Sequence, residues 1–250
     1  MKKLLFIMLI LSSFFAQSQI INVENLRRVT DTSGWSGYTR FDFQLIKNKN
    51  SIFVLSNDVR VQYKTKNHLW LLINDVDFKK ANSTKLVSKN AQHLRYNYRF
   101  HSKITWEAFL QSQEDEISAI RFRGLAGTGF RFKFFKSEEY KFYLGSLLMF
   151  EHENSNSQIK RIHNDWRNSS YLSFSLYPKE NVTVVSTTYF QPRLNQFSDF
   201  RVSSQTSVIL TIFKNLAFTA TFSYQFDKFP VEGVPKEQYT LKNGLVYSFD

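Results

Sequence analysis

Apolar and polar residues alternate along short segments of this chain from about Trp35 to the last residue, with no long helical pattern between them. In the segment from Leu216 to Asp227, every even-numbered residue is apolar, and every odd-numbered residue from Thr219 onward is polar. Successive side chains of a strand point to opposite faces, so such a segment has one apolar and one polar face. Large aromatic residues on many of the apolar faces favour a membrane barrel over a soluble sandwich, because the outside of a barrel meets lipid.

Reading the chain with this period predicts about a dozen strands. The third strand begins with apolar residues on both faces, which leaves its parity ambiguous, and three glycines in the sixth (Gly124, Gly127 and Gly129) predict a bulge or bend. We therefore predict an all-β fold, an antiparallel transmembrane β-barrel of about 12 strands. The predicted strands cover residues 35–46, 52–64, 69–78, 91–101, 104–113, 120–133, 140–151, 167–177, 182–191, 200–213, 216–227 and 239–249.

The predicted connections differ in length on the two sides of the barrel. Longer loops are expected at 79–90, 114–118, 152–166, 192–199 and 228–238, and shorter turns at 101–103, 178–181 and 214–215. Long loops on one side and short turns on the other are typical of outer-membrane barrels, although the short connection at 47–50 breaks the pattern. An even strand number brings both termini to one side, which we expect to be the periplasm.

The amino terminus has the features of a secretory signal. Lys2 and Lys3 precede an apolar run from Leu4 to Phe15, and small residues follow at a spacing suited to cleavage after Ser18. The run is shorter than the roughly 20 apolar residues that a transmembrane helix needs. We predict a signal peptide at residues 1–18, a periplasmic segment at 19–34 and the barrel, in a Gram-negative outer membrane, at 35–250.

Composition narrows the possible classes of protein. The chain has no Cys, which excludes a lipoprotein anchor, disulfides and thiolate metal sites. Aromatic residues make up 17% of it, with 26 Phe and 12 Tyr, as a lipid-facing band requires. Lipopolysaccharide phosphates, an anionic solute or simple solubility could each account for the net charge of +12, and we expect outer-membrane lipids and lipopolysaccharide as partners. A nucleic-acid partner is not expected, because the mixing of Arg95 and Arg99 with Tyr96 and Tyr98 follows from a basic inward and an aromatic outward face.

The final strand carries an aromatic residue near the end of the chain. Leu241, Leu245, Tyr247 and Phe249 alternate with more polar positions. Outer-membrane barrels typically end on such a strand, which the barrel-insertion machinery reads. Asp250 follows Phe249 and departs slightly from that pattern.

Several short motifs carry a family resemblance. They are Ile21–Arg28, Gly34–Gly37, Leu94–Arg99, Trp106–Gln111 and Arg123–Gly129. In these, the chain resembles a family of salt-induced outer-membrane proteins that is catalogued as a domain of unknown function. The resemblance implies a small outer-membrane barrel and supplies no catalytic residues.

Histidine and serine patterns give little support for an enzyme. None of the five His residues falls in a paired metal-binding pattern, and His152 and His163 are expected to share one solvated loop. An outer-membrane lipid hydrolase would need Ser, His and an orienting Asn or acid within hydrogen-bond reach. No G-x-S-x-G signature is present, and His93 is predicted to point inward, away from lipid. We predict no catalytic, metal or cofactor site, and keep the hydrolase as an alternative.

The candidate functional residues are the charged side chains on the predicted inward faces. They form either a structural ion-pair network in a filled lumen or a narrow conduit that prefers small anions. A secreted lipid- or sugar-binding β-sheet protein is a further alternative. The predicted basic cluster is Arg40, Arg60, Arg95, Arg99, Arg121, Arg123, Arg131, Arg167 and Arg201, with acidic partners Asp42, Asp58 and Glu107.

Overall fold

The computed structural model describes residues 33–47, 51–81, 84–115, 119–155, 162–231 and 233–249. The predicted signal peptide, nearly all of the predicted segment 19–34 and the motif Ile21–Arg28 lie outside the described residues. No helix in the described ranges is long and apolar enough to cross a membrane.

Twelve antiparallel strands form one closed barrel in which each strand pairs with its neighbours in sequence, and β1 pairs with β12. This confirms the predicted fold class and strand number. The strands are β1 Gly34–Lys47, β2 Ser51–Lys64, β3 His68–Ala81, β4 Thr84–Arg99, β5 Ile104–Asp115, β6 Ile120–Lys136, β7 Tyr140–Ser155, β8 Ile162–Lys179, β9 Val182–Arg193, β10 Gln196–Phe213, β11 Leu216–Asp227 and β12 Glu237–Phe249.

The two ends of the barrel can be told apart by the chain termini. Gly37, near the start of β1, is in register with Phe249 at the end of β12, and we call this side the termini end. The opposite side, which holds the β7–β8 and β11–β12 connections, is the loop end.

Several strands extend into regions that were predicted to be loops. β3 reaches Ala81 and β4 starts at Thr84, so that Lys79, Lys80, Lys85 and Lys89 lie on strands. The predicted loop 152–166 is likewise mostly strand, and it places His152 on β7 and His163 on β8. These loop predictions were wrong, because outward positions beyond the lipid band can be polar while the backbone continues to pair, which removes the alternation.

Side chains alternate between a buried inner face and an exposed outer face. In β5, for example, Thr105, Glu107 and Phe109 are buried, whereas Leu110 on the other face is 59% exposed. Exposed aromatic residues such as Phe130 and Trp166 line the outside of the wall. This is the apolar outer band of a barrel that meets lipid.

An apolar cluster fills part of the interior between β5 and β9. Phe109 packs toward Gly127, where an added Cβ would overlap its ring, and Tyr171 packs in the same way over Gly145. Gly127 thus leaves room for a ring, and an added Cβ at Gly129 would overlap the backbone of Ser146 on β7. Both glycines stay in regular register, so the bulge predicted at the β6 glycines was wrong. The irregularities of β6 lie between Ile120 and Phe122 and between Lys133 and Phe135. The cluster consists of Phe109, Leu125, Leu147, Met149, Tyr171 and Tyr189.

Candidate functional site

Among the residues that the structure describes, Glu151 is the centre of the largest interior ion-pair network. β7 places it on the inner face, directly after Leu147 and Met149 in the direction of the loop end. Three arginines from other strands reach its carboxylate: Arg123 Nη2 at 2.9 Å, Arg167 Nε at 3.2 Å and Arg201 Nη1 at 2.6 Å. Glu151 is 1% exposed, so these pairs are shielded from water and from salt screening.

Further carboxylates balance the three arginines. Arg201 also lies 3.2 Å from Glu153 and 2.7 Å from Asp227, and so uses all three guanidinium nitrogens on different partners. Arg167 lies 3.3 Å from Asp199. Arg193 extends the network with contacts of 2.5 Å to Asp165 and 3.4 Å to Asp199. We call these residues, which come from β6 to β11, the Glu151 network.

A second buried carboxylate, Glu107, lies among large side chains deeper in the interior. Arg131 Nη1 lies 3.2 Å from it and Arg95 Nη1 lies 3.5 Å from it. The Tyr171 hydroxyl, from a strand three positions around the barrel, donates a hydrogen bond of 2.7 Å to Glu107 Oε2. Glu107 is 0% exposed, and this contact joins the polar interior to the apolar cluster.

The opposite part of the interior has its own charged cluster. Arg40 pairs with Asp58 and lies 3.2 Å from Asp42. Lys242, on β12, lies 3.1 Å from both carboxylate oxygens of Asp77 on β3. Asp77 and Lys242 thereby connect β3 and β12, which are not hydrogen-bonded neighbours.

Small hydroxyl side chains line the inner face from β8 to β11. Thr187 donates to Ser173 at 2.8 Å, and Ser207 and Thr221 share a hydrogen bond of 2.7 Å. All four side chains are buried. Such short side chains would be exposed to solvent if a water-filled passage ran beside them. Other protein atoms therefore cover this part of the interior.

A cavity of about 660 Å³ opens above the Glu151 network at the loop end. Arg123, Arg201 and Glu151 contribute to its floor, and the β11–β12 connection with Phe229 and Lys236 forms one wall. The apolar cluster lies beneath that floor, since Met149 precedes Glu151 on the inner face of β7. We call this space the mouth cavity.

This geometry, a closed barrel of outer-membrane type with a charged interior, agrees with comparisons with known proteins. Residues 48–249 match the family model described as "Protein of unknown function, DUF481". The chain belongs to the DUF481 family. No curated protein matches it.

Solved structures similar to this DUF481 chain are outer-membrane barrels. The NanC porin is 8% identical with a TM-score of 0.55, and the match covers 86% of this chain and 100% of the porin. An outer-membrane channel from Pseudomonas putida F1 is 9% identical with a TM-score of 0.55, covering 92% and 100%. The translocator domain of the autotransporter NalP from Neisseria meningitidis is 9% identical with a TM-score of 0.53, covering 87% and 89%. At such low identity the likeness shows the fold alone, which is that of the outer-membrane β-barrels.

The structure brings most of the predicted charged residues of this DUF481 protein into the interior. Two predicted members of the basic cluster lie elsewhere. Arg99 is exposed and donates to the backbone carbonyl of Lys66 in the β2–β3 turn. Arg121 is exposed at the irregularity between Ile120 and Phe122, where the extra residue reverses the parity. The residues in the interior are Arg40, Arg60, Arg95, Arg123, Arg131, Arg167 and Arg201, with Asp42, Asp58 and Glu107.

Sequence reasoning missed much of the acidic side of the network. Glu151 and Glu153 follow Leu147 and Met149 on the inner face of β7. Residues on the outer face of that strand are also apolar, so the sequence does not show which positions of β7 point inward. Asp75 and Asp77 were missed for the same reason on β3. The inward position of Lys242 could have been predicted, because apolar and polar residues alternate clearly along β12.

Acidic side chains are as frequent as basic ones among the buried charges. Among the described residues, nine acidic side chains and seven basic ones are buried. The acidic ones are Asp58, Asp75, Asp77, Glu107, Asp115, Glu151, Glu153, Asp165 and Asp199, and the basic ones are Arg40, Arg60, Lys89, Arg95, Arg123, Arg131 and Arg167.

Two histidines bear on the hydrolase alternative. His93 is buried, stacks on Phe109 with ring centroids 5.3 Å apart, and lies 3.0 Å from Gln111 Oε1, which keeps it away from lipid. His152 Nδ1 lies 2.7 Å from Asn164 Oδ1 on the outer wall. A hydrolase would need a serine nucleophile beside such a pair. Ser112 on β5 borders the same shallow groove of the outer wall as His152, but its hydroxyl donates to Gln92 Oε1 at 3.5 Å.

Proposed function

We propose that this protein is a closed outer-membrane barrel with a structural role in the envelope, and that it does not conduct solutes steadily. One observation carries this proposal. The Glu151 network forms the floor of the mouth cavity, and the apolar cluster lies directly below it. Buried ion pairs above packed apolar side chains leave an ion no hydrated path at that depth.

Conductance in planar bilayers tests this proposal. The purified wild type is expected to give no steady conductance. The double variant Phe109→Ala/Tyr171→Ala removes two rings from the apolar cluster and is expected to produce one. The matched control Phe130→Ala/Phe150→Ala removes two rings from the outer wall and is expected to stay silent. Steady conductance in the wild type would contradict a closed barrel.

A narrow anion-preferring conduit is the second candidate function. The mouth cavity favours it, because Arg123, Arg167 and Arg201 border that cavity and arginine rings favour anions. Two of the solved structures with this fold are described as a porin and as an outer-membrane channel. A small wild-type conductance that loses its anion preference in Arg123→Gln would support the conduit over the closed barrel.

The sequence also supports proposals about location and partners. We place both termini in the periplasm, with residues 1–18 as a cleaved signal peptide, and outer-membrane lipids with lipopolysaccharide around the barrel. Phe249 is proposed to carry recognition by the insertion machinery. A tag added after Asp250 tests the orientation: in intact cells it should be protected from added protease. The Phe249→Ala variant tests the recognition: it should assemble into the outer membrane less efficiently than the wild type.

The resemblance to salt-induced outer-membrane proteins supports a role in the response to external salt. We propose that the amount of this protein rises when its host is moved to high salt. Quantitative immunoblotting of outer-membrane fractions before and after the shift measures this, and an unchanged amount would contradict the proposal.

A further inference from the structure

The mouth cavity has the size of a small-molecule binding site. Its volume of about 660 Å³ lies within the range of roughly 300–1,000 Å³ that is usual for ligand pockets. Its floor is the Glu151 network, in which the side chains hold one another in place through several ion pairs. A molecule that enters from the loop end therefore meets a fixed and charged surface.

The acidic side chains that border the cavity are already bound to protein donors. Glu151 and Glu153 are 1% and 4% exposed, and Arg201 contacts both. Asp227 is more open, but its Oδ2 atom accepts from Arg201 at 2.7 Å. Its Oδ1 atom accepts from the backbone N–H of Phe229 at 3.0 Å. These carboxylates therefore offer little uncompensated negative charge to a ligand.

The basic side chains that border the cavity are more accessible. Arg193 is held by Asp165 at 2.5 Å and by Asp199 at 3.4 Å, yet 21% of its side chain is exposed, against 9% and 11% for the two acids. Lys228 and Lys236 lie on the wall formed by the β11–β12 connection, and both are exposed. Among the described residues that line the cavity, the charge that a ligand can reach is therefore mainly positive, which attracts anions.

The wall that carries the two lysines also presents apolar side chains. Phe229 is 57% exposed, and Val231 and Val234 line the cavity as well. Backbone hydrogen bonds hold this wall: the N–H of Val234 donates to the carbonyl of Val231 at 2.9 Å, and the N–H of Asp227 donates to the carbonyl of Lys236 at 2.9 Å. A wall that is fixed before a ligand arrives lowers the entropy cost of binding.

We propose that the mouth cavity binds a small organic anion, whose charged group lies near Arg193, Lys228 and Lys236 and whose apolar part packs against Phe229. A cation would meet exposed charges of its own sign, and an inorganic anion would leave the apolar wall unused. The anionic group belongs either to a soluble solute or to the head group of a lipid. This site goes beyond the proposed structural role, and its test is a binding measurement that does not depend on whether the barrel conducts.

Isothermal titration calorimetry tests the site with the purified protein in nanodiscs of phosphatidylcholine. Four probes separate the two features of the ligand. Phenyl phosphate carries both a ring and negative charge, inorganic phosphate carries only the charge, benzyl alcohol carries only the ring, and benzylamine joins a ring to a positive charge. We expect phenyl phosphate to bind several-fold more tightly than each of the other three. Any other order of affinities would overturn the proposal.

The double variant Lys228→Gln/Lys236→Gln tests the charged half of the site. Both lysines are exposed, so their replacement should leave the fold intact. It should weaken the binding of phenyl phosphate several-fold, because the anion loses two of its cationic neighbours. The matched control Lys179→Gln/Lys214→Gln makes the same changes at exposed positions of the termini end and should bind like the wild type. Wild-type affinity in Lys228→Gln/Lys236→Gln would overturn the assignment.

The variant Phe229→Ser tests the apolar half of the site. It should weaken the binding of phenyl phosphate and leave the affinity for inorganic phosphate unchanged. Phe213→Ser is the control, since Phe213 is 69% exposed at the termini end, and it should change neither affinity. An unchanged affinity of Phe229→Ser for phenyl phosphate would contradict the packing of a ligand against this ring.

Native mass spectrometry distinguishes the two sources of the anion. The protein is released from nanodiscs that contain equal amounts of phosphatidylcholine and phosphatidylglycerol. Phosphatidylglycerol that stays bound to the wild type, but not to Lys228→Gln/Lys236→Gln, would assign the site to a lipid head group. Equal retention of this lipid by both proteins would assign the site to a soluble anion.

Discussion

Removing the negative charge at Glu151 is the sharpest test of the interior network. In Glu151→Gln the side chain keeps its shape, but Arg123, Arg167 and Arg201 lose the carboxylate that they share at 2.6–3.2 Å. Their remaining partners, Glu153, Asp199 and Asp227 among them, compensate only in part. Removing one partner of a buried ion pair typically costs about 3–5 kcal/mol, because the remaining charge stays desolvated.

The expected loss is large enough to measure by thermal unfolding. For a chain of this size, 1 kcal/mol shifts Tm by roughly 2–4 °C, so Glu151→Gln should lower Tm by about 6–20 °C. The assay is the heat-dependent band shift on SDS gels, combined with circular dichroism in detergent. Glu114→Gln makes the same chemical change at an exposed position of β5 and should change the free energy of unfolding by about 0.5 kcal/mol or less.

The comparison between the two variants decides the question. If Glu151→Gln and Glu114→Gln unfold at the same temperature, the three arginines do not depend on Glu151, and the network is not what holds the interior together. A stabilised Glu151→Gln would refute the reasoning more strongly, since it would mean that desolvation of the carboxylate outweighs all three pairs.

Three further variants test the wall and the interior by Tm in detergent and refolding into lipid vesicles. Phe222→Arg places a charge on the lipid face and should cost roughly 2–4 kcal/mol near the midplane, whereas Phe222→Leu should not; equal stability would contradict the face assignment. Tyr171→Phe removes the 2.7 Å donor to Glu107 and should cost about 1–3 kcal/mol, against little for Tyr140→Phe at the surface. Gly145→Ala drives a Cβ into the Tyr171 ring and should cost about 1–3 kcal/mol, and an unchanged Tm would show that the ring can move.

Local sequence determined the wall of this barrel. Alternation with period two appears on strands such as β11, where one face meets lipid and the other meets the polar interior, and it predicts the strand and both of its faces. The alternation of apolar and polar residues is lost where both faces of a strand meet apolar surroundings. On β3 and β7 both faces carry apolar residues, because the inner face of each packs inside the barrel, as Leu71 and Met149 do.

Strand ends were also hidden from sequence reasoning. Toward the loop end, polar residues take up consecutive positions of β3, so Lys79 and Lys80 look like loop residues although their backbones stay paired. Arg121 shows the complementary limit: one irregular position changes the parity, and composition gives no sign of it.

Tertiary structure alone decided which charges meet. Arg201 and Glu151 are 50 residues apart in sequence, and Lys242 and Asp77 are 165 apart, so no local pattern relates them. The order of the strands around the closed barrel and the stagger between them set which inner positions share a depth. The sequence by itself thus determined that arginines and carboxylates point inward on particular strands. Barrel closure determined that they pair with one another, because only a closed wall brings distant strands to face each other across one narrow interior.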